Sequence, residues 1–270
     1  MQDRAVEIRV VTLCKAFGSH VVLDGVDLTV QRTDVVAVVG GSGCGKTVLL
    51  NLILGLLTPD AGRILVADHA SAGAPLRDTA ELGARALERL HGHWGVVFQR
   101  NALFSASVLD NIGLWLRETR GLAEPAIRAL AATVLGAVGL PSSDEFLAQP
   151  SERLSGGMAK RLAVARALAM DPAVIFYDEP TTGLDPVSAG QIHELIQTTH
   201  TRPAHDGSAH TSFIITHDKD LLARLQPRVL MLHEGRVLFD GQYDDFRGAQ
   251  HPAIAPYFEL MPQLHRRDGA

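Results

Sequence analysis

One stretch constrains this chain more than any other. Residues 35–39 (VVAVV) form an unbroken apolar run dominated by β-branched valine, the pattern of a strand buried on both faces. They lead directly into Gly40-Gly41-Ser42-Gly43-Cys44-Gly45-Lys46-Thr47, and an apolar helix is expected from Lys46 to about Leu57, ended by Thr58-Pro59-Asp60. The octet fits G-x-x-x-x-G-K-[ST] in the strand–loop–helix context that motif requires. Its glycines let the backbone curl so that successive N–H groups point at one anion, and the helix N-terminus adds partial positive charge. Lys46 is placed to neutralise the outer phosphates of a nucleotide, and the Thr47 hydroxyl to ligate Mg²⁺. Cys44 reads as a small filler of this loop, not a redox centre.

A second strand, residues 173–177 (AVIFY), ends in Asp178 and Glu179. A buried strand presents its last side chains at the carboxyl edge of the sheet, where ligands bind in α/β folds. Beside a phosphate loop, Asp178 is a candidate Mg²⁺ ligand and Glu179 a candidate base for the water attacking the γ-phosphate. A third feature is Leu154-Ser155-Gly156-Gly157-Met158, which opens a helix predicted over 156–170. Ser155 is a plausible N-cap, and the glycines let a phosphate approach free N–H groups. Alone it also reads as an ordinary capped helix. Two anion sites on one chain are hard to fill with one nucleotide, unless the second serves the nucleotide of another protomer.

The remaining pattern sets limits. With 46% hydrophobic and 20% charged residues, 270 residues can bury a real core, which excludes a disordered chain. A net charge of −5 excludes a basic nucleic-acid footprint, and two cysteines, Cys14 and Cys44, exclude a disulfide scaffold. No apolar run approaches the roughly 18–20 residues of a spanning helix, so the chain is expected in the cytosol or held at a membrane by a partner. Half-buried strands are expected at 6–11 and 26–30, and further strands at 96–98, 213–216 and 229–233. Most of 105–140 is helical in pattern. Strands alternating with helices predict an α/β core with a largely parallel sheet and an inserted helical block at about 104–160. Residues 68–93 and 199–210 read as surface segments. His200, His205 and His210 in the second read as a solvated loop, since no cysteine or carboxylate pattern completes a metal site.

Taken in order, these motifs resemble those of ABC-transporter ATP-binding subunits over about residues 6–247. The Walker A loop matches 40–47, the Q-loop Gln99, the LSGGx signature 154–158, Walker B 174–179, the D-loop Gly183-Leu184-Asp185, and the switch histidine His217. The resemblance implies a P-loop NTPase (RecA-like) core with an antiparallel β subdomain and an inserted helical subdomain. It also implies one ATPase domain over 1–248 and a C-terminal tail at 249–270. Phe17 takes the position of an aromatic that stacks on adenine, Gln99 contacts Mg²⁺ and the attacking water, and His217 reaches the γ-phosphate. The resemblance further implies that Asp185 lies at a dimer seam, and that two chains pack head to tail as a homodimer around two ATPs, each held between one Walker A loop and the partner's Ser155–Gly157. It implies that the dimer drives transmembrane permease subunits from the cytoplasmic face of the bacterial inner membrane, with ATP and Mg²⁺ as cofactors and no nucleic acid.

Within that family, Met158, the run Phe98-Gln99-Arg100-Asn101-Ala102-Leu103-Phe104 with Val108-Leu109-Asp110-Asn111-Ile112, and the run Asp178 to Pro186 resemble the Mla-type subgroup. That likeness implies phospholipid trafficking with an MCE-domain lipid-binding protein. The segment after Phe104 is about one residue shorter than the subgroup's pattern, residues 68–93 and 199–212 are longer, and 249–270 is only loosely similar. The alternatives are an importer ATPase for amino acids or other polar solutes, with identical ATP chemistry, and a non-transport ABC ATPase. The latter usually carries two cassettes, zinc modules or long coiled coils, which this sequence does not show.

Overall fold

The structure is a computed structural model and describes residues 5–201 and 209–255. In chain order its elements are β1 (Val6–Phe17), β2 (His20–Gln31), β3 (Val35–Val39), α1 (Lys46–Ile53), β4 (Ala61–Ala67), β5 (Leu76–Asp78), α2 (Ala84–His91) and β6 (Trp94–Val97). Then follow α3 (Val108–Arg120), α4 (Glu124–Ala137), α5 (Asp144–Ala148), α6 (Gly156–Ala169), β7 (Val174–Asp178) and α7 (Pro186–Thr201). The last are β8 (Thr211–Ile215), α8 (Lys219–Leu225), β9 (Arg228–His233), β10 (Arg236–Gln242) and α9 (Tyr243–Gly248).

Two sheets carry the fold. The larger has the order β10-β9-β3-β8-β7-β6, and β9 through β6 run parallel while β10 is an antiparallel edge. Its central strands β3, β7 and β8 are almost wholly buried, as continuous β-branched and aromatic runs should be when helices cover both faces. Trp94, Phe176 and Phe213 stack through this core with ring centroids 5.3 and 5.8 Å apart. The smaller sheet is antiparallel, in the order β2-β1-β4-β5. Between β6 and β7 the chain leaves the sheet to form α3, α4 and α5, and α6 brings it back. Leu116, Ile127, Leu135 and Leu162 are fully buried within this helical block.

Several elements depart from the sequence expectation, each for a local reason. β1 and β2 each run 12 residues, well beyond 6–11 and 26–30. Thr12 sits at φ 43° with a register shift between Val10 and Leu13, which breaks the period-two pattern at that point. Gly25, at φ +68°, lies within β2, and its N–H donates to Cys14 Sγ at 3.3 Å. Helix α1 stops at Ile53, not Leu57, because Gly55 adopts φ +70° and the Leu56 and Leu57 N–H groups turn back to Asn51 O.

Residues 68–93 are not simply a surface segment. β5 extends the antiparallel sheet, the Asp78 carboxylate is buried and takes a 2.7 Å bond from Arg63, and Leu90 of α2 packs into the core beside Trp94. The solvated-loop expectation for the histidines is also corrected. His210 is buried with Nδ1 2.6 Å from Pro172 O, and His200 Nδ1 lies 3.4 Å from Ser212 Oγ. His205 lies outside the described residues. No cluster of metal-ligating side chains and no helix long and apolar enough to cross a membrane occurs among the described residues. The segment 249–255 is partly packed, with Ile254 buried against Tyr243 and Phe246; 256–270 lie outside the description.

Candidate nucleotide site

Four neighbouring strands, β3, β8, β7 and β6, end at the same carboxyl edge of the parallel sheet, and each delivers one expected site segment. β3 runs into Gly40, β7 ends at Asp178, β8 leads to His217 and β6 leads to Gln99. This is the edge at which open α/β sheets bind ligands.

The phosphate loop is built around two glycines whose positive φ and close neighbours disfavour any side chain. Gly40 has φ +145°, and a Cβ there would lie 2.3 Å from Leu232 O and 2.7 Å from Cys44 Sγ. Gly45 has φ +102°, and its Cβ would meet Leu23 Cδ2 at 2.7 Å. Gly45 is also the N-cap of α1, and no side chain caps that helix start, so its N–H groups stay open to an anion. Gly41, Ser42 and Gly43 are the loop's outer rim. The Lys46 ammonium folds back onto the loop and donates to Gly40 O at 2.8 Å and Gly41 O at 3.0 Å. Cys44 Sγ is 3.8 Å from that ammonium and is partly buried against the core, as a filler should be. Thr47 is the second residue of α1 and is exposed.

Asp178 is buried at the end of β7, and its Oδ1 has no hydrogen-bond partner. Burial raises its pKa, the charge of Glu179 raises it further, and Lys160 and Lys46 oppose the rise. A buried carboxylate oxygen without a partner, at the same sheet edge as a lysine-bearing phosphate loop, is the kind of donor that a divalent cation completes. Asp178, with the hard oxygen of Thr47, therefore fits Mg²⁺.

Glu179 adopts φ 47°, a left-handed conformation that costs a non-glycine residue energy and is kept where the surroundings enforce it. Here its N–H bonds Ile215 O at 2.9 Å, locking it to the neighbouring strand. The twist aims the carboxylate at the loop after β8, where Oε2 lies 2.7 Å from His217 Nδ1 and accepts the Thr182 hydroxyl at 3.3 Å. Glu179 is mostly shielded while His217 is half exposed, so the pair presents one open side.

Asp185 caps α7 through the N–H groups of Val187 and Ser188, both at 3.0 Å, and the Ser188 hydroxyl is the main cause that lowers its pKa. Phe17 ends β1 with its ring 49% exposed and the Lys15 ammonium 5.4 Å from the centroid, an open platform rather than a core side chain. Gln99 is exposed.

Ser155, Gly156 and Gly157 are not brought to this chain's own phosphate loop. The Ser155 hydroxyl caps α6 at Met158 N (3.3 Å), and the two glycines lie against Leu184 and Ser188, beside Asp185. No hydrogen bond joins them to residues 40–47 among the described residues.

Two groups escaped the sequence reading. Lys160 of α6 is 2% exposed and donates to Phe98 O and Gln99 O; a lone lysine one turn after Gly156 in an Ala/Leu-rich helix was the available signal. Asp218 accepts from both Thr181 and His193 at 2.7 Å, joining the segment after Glu179 to the segment after His217. Nothing in the local pattern pointed to His193, which is a chance-looking histidine on a helix.

Comparison with known proteins shows the family. A family profile described as ABC transporter matches residues 23–182. The chloroplastic protein TRIGALACTOSYLDIACYLGLYCEROL 3 of Arabidopsis thaliana is 35% identical over 90% of this chain and 70% of the relative. The intermembrane phospholipid transport system ATP-binding protein MlaF of Haemophilus influenzae is 33% identical over 96% of this chain and 92% of the relative. The methionine import ATP-binding protein MetN of Caulobacter vibrioides is 36% identical over 88% of this chain and 66% of the relative. Among solved structures, the dimeric post-hydrolysis state of the ATP-binding cassette MJ0796 with ADP and Pi superposes with a TM-score of 0.73 at 27% identity, over 87% of this chain and 98% of that one.

Proposed function

The chain belongs to the ABC transporter family as an ATP-hydrolysing, ATP-binding subunit, and on that premise we propose that it energises phospholipid trafficking through a membrane permease. Two kinds of relative lie at similar identity, so ATP chemistry cannot decide between lipid and polar-solute cargo. The observation that carries the lipid reading concerns a groove beside the helical block, where we place the permease contact. An apolar groove of about 380 Å³ opens between the helical block and the sheet, lined among others by Leu56, Phe98, Phe104, Ile112 and Trp115. Phe98, Ala102, Phe104, Asn111 and Ile112 line it, and they belong to the run by which the sequence resembles the Mla-type subgroup. Asn111 holds the loop in shape by bonding the Phe104 N–H (2.8 Å) and Phe104 O (3.0 Å). The partner contact proposed for this groove and the subgroup likeness thus share one set of residues.

In the proposed mechanism, Phe17 stacks on adenine and the backbone of Gly40–Gly45 with Lys46 holds the phosphates; Thr47, Asp178 and Gln99 would hold Mg²⁺, which would supply positive charge to the phosphates when bound. Water attacks the γ-phosphorus, its bond to the β,γ-bridging oxygen breaks, and the water's proton passes to Glu179. His217 orients that carboxylate through the 2.7 Å bond and offers its exposed side to the γ-phosphate. Ser155–Gly157 make no hydrogen bond to their own loop among the described residues, which supports a head-to-tail homodimer in which they complete the partner's site, with Asp185 at the seam. ATP then closes the dimer and hydrolysis reopens it, a ligand-driven population shift. In this reading the subunit lies on the cytoplasmic face of the inner membrane, beneath the permease, and an MCE-domain lipid-binding protein completes the complex.

The test is mass spectrometry of what co-purifies with tagged Glu179→Gln chain from gently solubilised native membranes. A permease with an MCE-domain protein and bound phospholipid is the expected result. A permease with a soluble solute-binding protein and no lipid carrier would transfer the assignment to polar-solute import.

A further inference from the structure

The ten residues between β6 and α3, which include Gln99, have no regular structure of their own, and their anchors come from the helical block. Lys160 donates to Phe98 O at 3.1 Å and Gln99 O at 2.9 Å. Two turns further along α6, Arg166 donates to Ala102 O at 2.8 Å, and its guanidinium lies 5.6 Å from the Phe104 ring centroid. Asn111 of α3 ties down Phe104. The same helix α6 begins at Gly156, so Lys160 sits one turn below Ser155–Gly157 on the same face. A buried ammonium is costly unless hydrogen-bonded and offset by charge. Lys160 is 2% exposed, spends its donors on two backbone carbonyls and is attracted by Asp178. A hydrophobic residue of similar length would fill the same space without that cost, so simple packing does not account for it.

We propose that Lys160 is a positioning residue that fixes the Gln99 backbone to the helix carrying Ser155–Gly157, so that the metal-side amide of one ATP site and the signature offered to the other site move as one body. Lys160 touches no substrate. Its three N–H donors on a long stem let it hold two successive carbonyls, and because α6 is rigid, a displacement at Gln99 is passed to the signature without a separate linkage. The inference rests on Gln99 acting at the metal, and the experiment keeps the two apart.

Full-length Lys160→Met, Lys160→Arg and Gln99→Ala are compared with wild type in steady-state ATPase kinetics and in amide hydrogen exchange of the nucleotide-free chain. The expected result for Lys160→Met is a kcat about 10–100-fold lower with KM for ATP within about threefold, the split expected when a positioning contact and not ground-state binding is lost. Exchange at residues 99–101 should rise about tenfold while that at 41–47 stays unchanged, marking a local loosening. Lys160→Arg, which keeps the cation and its donors, should return kcat to within about fivefold of wild type. A folded Lys160→Met with wild-type exchange at 99–101, or with kcat unchanged, overturns the proposal. If Lys160→Met does not fold, Lys160→Gln is read by the same two measurements, and wild-type values there overturn it equally. A normal kcat in Gln99→Ala removes Gln99 from the metal site, a failure that leaves the exchange result to stand or fall by itself.

Discussion

Asp218 should supply a measurable share of stability that disappears in acid. Its Oδ1 accepts the N–H groups of Asp220 (3.0 Å) and Leu221 (3.1 Å), and its Oδ2 accepts from Thr181 and His193, both at 2.7 Å. Burial alone would raise the pKa of this carboxyl, but the bonds from His193 and Thr181 outweigh it and hold the pKa down to about 2, against an ordinary value of 3.8. That difference, at 1.36 kcal/mol per unit, amounts to about 2.4 kcal/mol at pH 7. The sign follows from the depressed folded value. The contribution is complete well above the unfolded pKa and is lost as the pH falls towards the folded one, with about 1.3 kcal/mol left at pH 3. Asp218→Asn should therefore destabilise the chain by about 2 kcal/mol in urea melts at pH 7, and by roughly half that at pH 3. A penalty that is equal at the two pH values, or absent at pH 7, would refute the reasoning.

Further outcomes follow from the site. Gly40→Ala forces a Cβ to within 2.3 Å of Leu232 O, and should lower the melting temperature by about 5 °C or more and abolish ATP binding, measured by calorimetry. His217→Ala removes the 2.7 Å partner of Glu179 and should cut kcat about 100-fold while ATP still binds, read in a phosphate-release assay. Glu179→Gln should slow turnover by about 10²–10⁴-fold with ATP affinity retained, and a near-normal rate would remove Glu179 from the role of base. Trp115→Glu and Leu56→Glu place charge in the groove and should abolish co-purification of the permease without changing the ATPase rate of the isolated chain.

The parts most legible in the sequence were those where local pattern and tertiary role coincide. VVAVV and AVIFY are buried on both faces, so no partner strand had to be known to read them, and the glycine loop carries its own geometric reason in Gly40 and Gly45. The antiparallel sheet was harder, because the bulges at Thr12 and Gly25 interrupt the alternation on which strand reading depends. Asp78 and Leu90 looked like surface residues until β4 and Trp94 supplied their partners. Lys160 and the Asp218 network were missed for one reason: both are defined by neighbours roughly 25 to 60 positions away in the chain. A lone lysine in an Ala/Leu-rich helix stands out without showing what it will meet, and a histidine in a helix gives no local sign at all.

The central claim is that ATP joins two of these chains, with Ser155–Gly157 of one completing the site of the other. The most direct measurement is the solution mass of Glu179→Gln chain by sedimentation at saturating ATP and Mg²⁺, beside the same chain with ADP. The account predicts a two-chain species with ATP that reverts to one chain with ADP and is lost when Gly157→Asp is added. A single-chain mass at saturating ATP, with bound ATP confirmed in the same sample, would contradict it.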